Sequence, residues 1–180
     1  MAWDSYIEKE IKSNDIIVFL IPKNNYGERL KDFAKVSTKS LGSICYVSLN
    51  KPYSTLVPMF QKMGIDTQGI VFIDAAKTGF GDASGNLRVV SVSSPKALTE
   101  LDIAIQKVII KENVKGIVFD SLSTLLVYEE PSNVIKFSHS VISKMRSGGT
   151  KGIFMCLKDD VESELIKDLS MFVDKVVEVQ

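Results

Sequence analysis

The sequence is poor in the side chains that build disulfide frameworks and zinc sites. Its 180 residues include two cysteines, Cys45 and Cys156, and one histidine, His139. Each cysteine lies inside an apolar, strand-like run, which indicates a buried, reduced thiol. Two isolated cysteines and one histidine build no zinc site without carboxylates, so we predict no metal centre. His139 lies at the edge of an apolar helical stripe, where we expect a packed or half-exposed residue.

Net charge and long apolar runs are lacking as well. The 22 basic and 22 acidic residues cancel, which excludes an overall basic field that would attract nucleic acid or an anionic membrane. No apolar run has the length of a membrane span, and the acidic, aromatic N-terminus is unlike a signal peptide. We therefore expect a cytoplasmic protein without a membrane partner, and nucleic acid is not an expected ligand.

What is present is a repeated alternation of apolar runs and amphipathic segments. Continuous apolar, β-branched strands are typical of a parallel sheet that is buried on both faces. The order predicts an α/β fold, a doubly wound, mostly parallel sheet with helices on both faces, in one domain over residues 1–180 with a lead-in helix in residues 1–14. The predicted strands are DIIVFLI (15–21), SICYVSL (43–49), GIVFIDA (69–75), KGIVFDS (115–121), KGIFMCL (151–157) and FVDKVVEV (172–179), with a short extended piece in VVSVSS (89–94).

A glycine-rich segment interrupts this alternation after the third strand. Its sequence is KTGFGDASGNLR (77–88), and its three glycines and several turn formers predict a loop that contacts a partner. The residues of this predicted interaction loop are Lys77, Gly79, Gly81, Gly85 and Arg88. Beyond the loop, Ser94 and Pro95 predict a helix start, with serine as the cap and proline at the first helical position.

The end of the first strand lacks a phosphate-binding loop. Ligands of doubly wound sheets bind at the carboxyl ends of the strands, and a G-x-x-x-x-G-K-[ST] loop would stand here. The sequence instead has one glycine, followed by a glutamate that would repel a phosphate. We predict an ordinary strand-to-helix turn, although Lys23 and Arg29 remain candidates for an anion at the positive end of the helix. The positions concerned are Lys23, Asn24, Asn25, Gly27, Glu28 and Arg29.

Polar residues also end the second and fourth strands. Asn50 and Lys51 follow the second strand, and neither is a convincing general base at neutral pH. Asp120 and Ser121 end the fourth strand, where we expect the carboxylate to bond neighbouring backbone N–H groups. No Ser/His/Asp set, Cys/His pair or glycosidase-like carboxylate pair stands out, so we name no catalytic residue.

Several stretches together resemble the RecA-like ATPase cores, especially the KaiC-like group that is widespread in archaea. The resemblance covers nearly the whole chain after Asp15 and lies in element order, spacing and strand character. It implies that Asp120 falls on the family's magnesium-associated aspartate and that the strand ending there neighbours the strand ending at Leu49. The matching stretches are SICYVSLNKPYSTLVPMFQKMGID, GIVFIDA, KGIVFDSLSTLL, VISKMRSGGTKGIFMCL and FVDKVVEV, with FDSLSTLL the most specific.

The sequence departs from that pattern at two places that handle ATP. The phosphate loop is replaced at 22–29, and Asn50 and Lys51 replace the acidic residues that typically follow the second strand. We therefore expect a degenerate core without cofactors, serving as an interaction or regulatory module that pairs with itself or with an active relative. The first alternative is an atypical ATPase that uses Lys23, Arg29 and Asp120 with ATP and magnesium. The second is a nucleic-acid-binding module that uses residues 77–88. The third is an unrelated flavodoxin-like fold that binds a small ligand.

Overall fold

The structure, a computed structural model, describes residues 3–76, 88–160 and 162–179. Within these ranges, helices and strands alternate along the chain as the sequence predicts. The helices are α1 (Trp3–Ser13), α2 (Tyr26–Leu41), α3 (Tyr53–Lys62), α4 (Leu98–Lys111), α5 (Leu122–Tyr128), α6 (Pro131–Gly148) and α7 (Glu164–Leu169). The strands are β1 (Ile16–Ile21), β2 (Ile44–Ser48), β3 (Ile70–Asp74), β4 (Val89–Ser91), β5 (Gly116–Asp120), β6 (Lys151–Leu157) and β7 (Lys175–Glu178).

The seven strands form one sheet in the order β4-β3-β2-β5-β6-β1-β7, and every neighbouring pair is parallel. The carboxyl ends of all strands therefore lie at one edge of the sheet. Strand β5 lies beside β2, as the resemblance to RecA-like cores implies, and Ser48 of β2 is in register with Asp120 of β5. The predicted α/β fold with a doubly wound, parallel sheet is confirmed.

Helices cover both faces of the sheet, because the strand side chains alternate between two apolar clusters. Ile16, Val18 and Leu20 of β1 belong to the cluster beneath α4, α6 and α7. Ile17 and Phe19 belong to the opposite cluster, beneath α1, α2 and α3. All six residues of β1 are buried, which is why its sequence is apolar without interruption.

The predicted lead-in segment contains helix α1, which packs on α2. Ile7 and Ile11 are fully buried, and Trp3 meets the ring of Phe33 edge-on at 6.1 Å. Lys175 of β7 donates to the Glu10 carboxylate at 2.8 Å, which ties the start of the chain to the last strand. None of the helices in the described ranges has both the length and the apolar character needed to cross a bilayer.

Two helix predictions need correction. The helix predicted to start at Ser94-Pro95 begins instead at Leu98. Ser94 closes a separate turn, in which its Oγ accepts from the Lys96 N–H and its carbonyl accepts from the Ala97 N–H. The short helix α5 was not predicted, because its apolar residues continue directly from the strand before it.

Both cysteines are free and fully buried. Burial raises the pKa of the Cys45 thiol and the pKa of the Cys156 thiol, because a thiolate loses its hydration in the apolar interior. The prediction of buried, reduced thiols is confirmed in the structure.

Candidate functional site

The connection from β1 to α2 contains no loop that would wrap around a phosphate. Pro22 is followed at once by a 3-10 turn, Lys23–Asn25, which runs into α2 at Tyr26. Gly27 is the second residue of α2, and no atom lies within 4 Å of a Cβ added there. Its backbone has no positive φ, so neither the local conformation nor a close contact requires glycine. The predicted ordinary strand-to-helix turn matches this geometry.

Arg29 points away from the edge formed by the strand ends. Its guanidinium lies 4.4 Å from the centre of the Trp3 ring and 3.3 Å from the Asp32 carboxylate. A cation held by an aromatic face and a carboxylate one turn away serves the packing of α1 on α2. The atypical site that would combine Arg29 with Lys23 and Asp120 is therefore not assembled in this structure.

Asp120, at the end of β5, lies at the centre of this edge, and its side chain is held by two tyrosines. The Tyr26 hydroxyl donates to Oδ1 at 2.7 Å, and the Tyr46 hydroxyl donates to Oδ2 at 3.0 Å. Asp120 has 0% relative exposure. The expectation that its carboxylate bonds local backbone is wrong, because hydroxyls from α2 and β2 occupy both oxygens.

Burial dominates the electrostatics of this group. Loss of hydration raises the pKa of Asp120, while the two tyrosine hydroxyls and the positive charge of Lys51 act in the opposite direction. The pKa values of Tyr26 and Tyr46 are raised well above normal, first by burial and then by the neighbouring carboxylate. Tyr26 and Tyr46 therefore keep their protons at neutral pH and remain donors to Asp120.

The two tyrosines were missed in the sequence, although one of them left a signal. Tyr46 stands in the middle of the otherwise apolar strand SICYVSL, and a buried tyrosine hydroxyl needs a hydrogen-bond partner. The predicted pairing of β2 with β5 places Asp120 two residues beyond the partner of Tyr46. Tyr26 carried no comparable signal, because it lies at the start of an amphipathic helix.

The turn after β2 is tied to the start of α5. The Asn50 amide both donates to and accepts from the Thr124 hydroxyl, at 2.8 and 3.0 Å. That hydroxyl is also 3.1 Å from Ser121 Oγ, and the Asp120–Ser121 peptide bond is cis. Lys51 is half-buried, and its backbone N–H bonds Ser48 Oγ. These contacts match the polar turn predicted for Asn50 and Lys51.

A cavity of about 390 Å³ lies above Asp120, between α2, α5 and the turn after β2. We call it the strand-end cavity. Of the predicted positions, it brings together Lys23, Asn50, Lys51, Asp120 and Ser121, and it leaves out Asn24, Asn25, Gly27, Glu28 and Arg29. Its other lining residues are Tyr26, Leu30, Ser123, Thr124, Val127, Tyr128 and Leu157.

The third strand ends in a second buried aspartate with a different environment. Asp74 accepts from the backbone N–H groups of Tyr53 at 2.8 Å and Ala76 at 3.0 Å, and thereby fixes the start of α3. Of the predicted interaction loop, Lys77, Gly79, Gly81 and Gly85 lie outside the described residues. Arg88 lines a separate cavity of about 360 Å³ beside α3, so it does not belong to the strand-end cavity.

The contacts of His139 are those of a packed side chain. Its Nε2 bonds the Asp168 carboxylate, and its ring lies 4.0 Å from the centre of the Phe172 ring. The side chain is 34% exposed, as expected for a half-exposed residue at the edge of a helical stripe. In 3–76, 88–160 and 162–179, no three His, Cys, Asp or Glu side chains come together as a possible metal site.

Comparison with solved structures identifies the fold. The KaiC-like protein PH0186 from the hyperthermophilic archaeon Pyrococcus horikoshii OT3 superposes with a TM-score of 0.65 at 12% identity, over 92% of this chain and 72% of that one. The uncharacterised protein PH0321 from Pyrococcus horikoshii, in complex with an unknown peptide, gives a TM-score of 0.66 at 13% identity, over 98% and 82%. The described sheet and helices thus have a RecA-like, KaiC-like arrangement.

Comparison of sequences gives a family but no activity. No curated protein matches the chain. The model of a family of unknown function, DUF7504, matches residues 64–179, which include the strands β3 to β7 and Asp120 beneath the strand-end cavity. The chain therefore belongs to the family of unknown function DUF7504.

Proposed function

We propose that this chain is a degenerate RecA/KaiC-like domain that does not hydrolyse ATP and acts through contact with another protein. One observation carries the proposal. Where such a core would hold phosphates and magnesium, β1 passes through a 3-10 turn into α2, and Tyr26 of that helix bonds Asp120. A magnesium ion at this oxygen would have to compete with the tyrosine hydroxyl.

The start of α2 is also a poor site for phosphate. A phosphate cradle needs several free backbone N–H groups that point at one anion. The Asn25 N–H already bonds the Pro22 carbonyl, and the Tyr26 N–H bonds the Lys23 carbonyl. Glu28 places a carboxylate in the first turn of the helix, where it would repel a phosphate.

Magnesium binding would disturb a satisfied, buried network. Both Asp120 oxygens accept hydroxyls, and hydrogen bonds to charged groups contribute roughly 1.5–3 kcal/mol each. Freeing one oxygen would leave a tyrosine hydroxyl without its acceptor. This cost supports a scaffold whose former metal position now stabilises the fold.

Exposed apolar side chains beside the strand-end cavity support a protein partner. Val127 and Tyr128, on α5 beside the strand-end cavity, are 76% and 44% exposed. Cores that resemble this one commonly assemble through faces beside the nucleotide site, and PH0321 carries a peptide in its crystal structure. The partner we propose is a second copy of the chain or an active RecA/KaiC-like relative. We propose the cytoplasm as its location, where buried free thiols stay reduced.

The competing candidate is an atypical ATPase, favoured by the presence of Lys23 and Asp120 around one cavity. Phosphate release from Mg-ATP, measured for the wild type and for Asp120→Asn, separates the two. We expect both proteins to match the buffer blank. Release by the wild type that is abolished in a folded Asp120→Asn variant would overturn the proposal in favour of the ATPase.

A further inference from the structure

One side of the strand-end cavity is apolar and open to a partner. Leu30 of α2, Val127 of α5 and Leu157 of β6 line it. The opposite side of α5 is fully buried through Leu122 and Leu125, so the helix is fixed while Val127 stays 76% exposed. An exposed aliphatic residue beside a concave apolar surface is a feature of interaction sites.

The other side of the cavity carries two lysines without counter-ions. The ammonium groups of Lys23 and Lys51 make no ion pair within 3–76, 88–160 and 162–179. Seven other lysines have a carboxylate within 4.0 Å, namely Lys12, Lys35, Lys144, Lys151, Lys158, Lys167 and Lys175. What distinguishes Lys23 and Lys51 is that two lysines without an ion pair line the same cavity. The uncompensated positive charge at this cavity would favour a carboxylate-bearing ligand.

The acidic residue that lines the cavity does not supply the missing counter-ion. Asp120 has no exposed surface, and tyrosine hydroxyls occupy both of its oxygens. The charge presented to an incoming ligand is therefore that of Lys23 and Lys51.

We propose that the strand-end cavity docks an acidic peptide segment of a partner protein. In this arrangement, carboxylates meet Lys23 and Lys51, and a neighbouring apolar side chain packs against Leu30, Val127 and Leu157. The inference rests on the proposed function, because it names the chemistry of the partner. A volume of about 390 Å³ holds one or two side chains rather than a whole helix, which favours an extended segment.

The two sides of the cavity would contribute differently. The apolar anchor, desolvated on binding, supplies most of the affinity, because buried contacts dominate interface energies. The lysines, at the rim, set the preference for acidic partners and speed their association. Binding is thus expected to weaken as salt increases and to disappear when the apolar contact is removed.

The test is selection of random nonapeptides, displayed on phage, against the immobilised full-length chain at low ionic strength. We expect enrichment of peptides with acidic residues next to a large apolar residue. The same selection is run against Lys23→Glu/Lys51→Glu and Val127→Ser. Matched controls on α4 are Lys107→Glu, an exposed lysine outside the cavity, and Ile110→Ser, whose residue is 70% exposed.

Affinities of the selected peptides quantify the result. The double charge reversal should weaken binding by about tenfold or more, and Lys23→Glu alone by about threefold, because an exposed charge contributes little. The controls should bind as the wild type does. Since Lys23 is exposed, its variant remains informative if the double variant fails to fold.

The outcomes separate this inference from the proposed function. No enrichment, or enrichment without acidic bias, or equal binding by the charge-reversed variant, overturns the docking site while the absence of ATPase activity still stands. Displacement of selected peptides by Mg-ATP overturns the docking site, because the cavity would then be a nucleotide site. Phosphate release by the wild type would overturn the proposed function as well. Self-association of the chain through this cavity, seen as loss of dimer in Val127→Ser, overturns the acidic partner in favour of a second copy.

Discussion

Asp74 and Asp120 occupy equivalent places in the sheet and are used in different ways. Both end a buried strand, and both are in register with Ser48 of the strand between them. Asp74 accepts two backbone N–H groups, from residues 2 and 21 positions away along the chain. Asp120 accepts two tyrosine hydroxyls, from residues 94 and 74 positions away along the chain.

The two aspartates differ in what their hydrogen bonds connect: Asp74 holds the backbone of adjacent turns, whereas Asp120 holds side chains from other elements. Asp74 fixes the turn before α3, which is the ordinary use of an aspartate beside a helix start. Asp120 joins α2, β2 and β5, and the resemblance to RecA-like cores implies that it stands at their magnesium-associated position. The closing of this position by side chains from two other elements is the observation on which our proposal rests.

The largest effect is expected at Asp74. Asp74→Ala leaves two partly buried N–H groups without acceptors and should cost about 2–4 kcal/mol of unfolding free energy, measured by urea denaturation. Asp74→Asn keeps one oxygen and should lose about half as much. Asp66→Ala is the control, because Asp66 accepts one N–H at an exposed site. Equal stability of Asp74→Ala and the wild type would contradict this role.

The next effect compares the two tyrosines on Asp120. Tyr46 is fully buried, so Tyr46→Phe should cost about 1–2 kcal/mol. Tyr26 borders the strand-end cavity, where water can replace its hydroxyl, and Tyr26→Phe should cost less, about 0.5–1 kcal/mol. Urea denaturation measures both, and Tyr128→Phe at the exposed cavity rim is the control. A larger loss of unfolding free energy for Tyr26→Phe than for Tyr46→Phe would mean that Tyr26, and not Tyr46, contributes the stronger hydrogen bond to Asp120.

The dependence of stability on pH tests the burial of Asp120. Its raised pKa means that the folded chain keeps this proton to a higher pH than the unfolded chain. The contribution of Asp120 to the unfolding free energy therefore falls as pH rises from the unfolded pKa, about 3.9, through the folded pKa. Asp120→Asn lacks this titration. The stability of the wild type relative to Asp120→Asn should decrease as pH rises, and a relative increase would mean an ionised, stabilised carboxylate.

The smallest effect concerns Gly27, the second residue of α2. Gly27→Ala should stabilise the chain by about 0.5–1 kcal/mol, because alanine favours the helix and no atom obstructs its Cβ. A thermal scan should show an increase of a few degrees, roughly 1–4 °C. Gly42→Ala, at the other end of α2, is the matched control and should destabilise, since Gly42 has a φ of 77°. Destabilisation by Gly27→Ala would indicate that glycine is needed there.

Much of the fold could be predicted from the sequence because each buried strand is a continuous apolar run. The run DIIVFLI gave β1 to within one residue, and the resemblance to RecA-like cores gave the pairing of β2 with β5. Helix α5 was missed because its apolar residues follow β5 without a break. The start of α4 was misplaced because Ser94 and Pro95 are equally suited to the turn that they form.

The site was less predictable because its contacts are distant in sequence. The absence of a phosphate loop is a local property and was visible in residues 22–29. The partners of Asp120 depend on where α2 and β2 cross the sheet edge, which no local pattern encodes. Arg29 was a reasonable anion ligand by position, and only the packing of α1 showed that it turns toward Trp3.

The measurement that tests the central claim most directly is isothermal titration of the full chain with Mg-ATP and Mg-ADP. A core whose phosphate position is a helix start and whose aspartate is held by Tyr26 and Tyr46 should give no binding heat at ligand concentrations up to about 1 mM, the equivalent of about 4 kcal/mol of binding free energy. Saturable binding at a lower concentration, weakened in Asp120→Asn, would contradict the account.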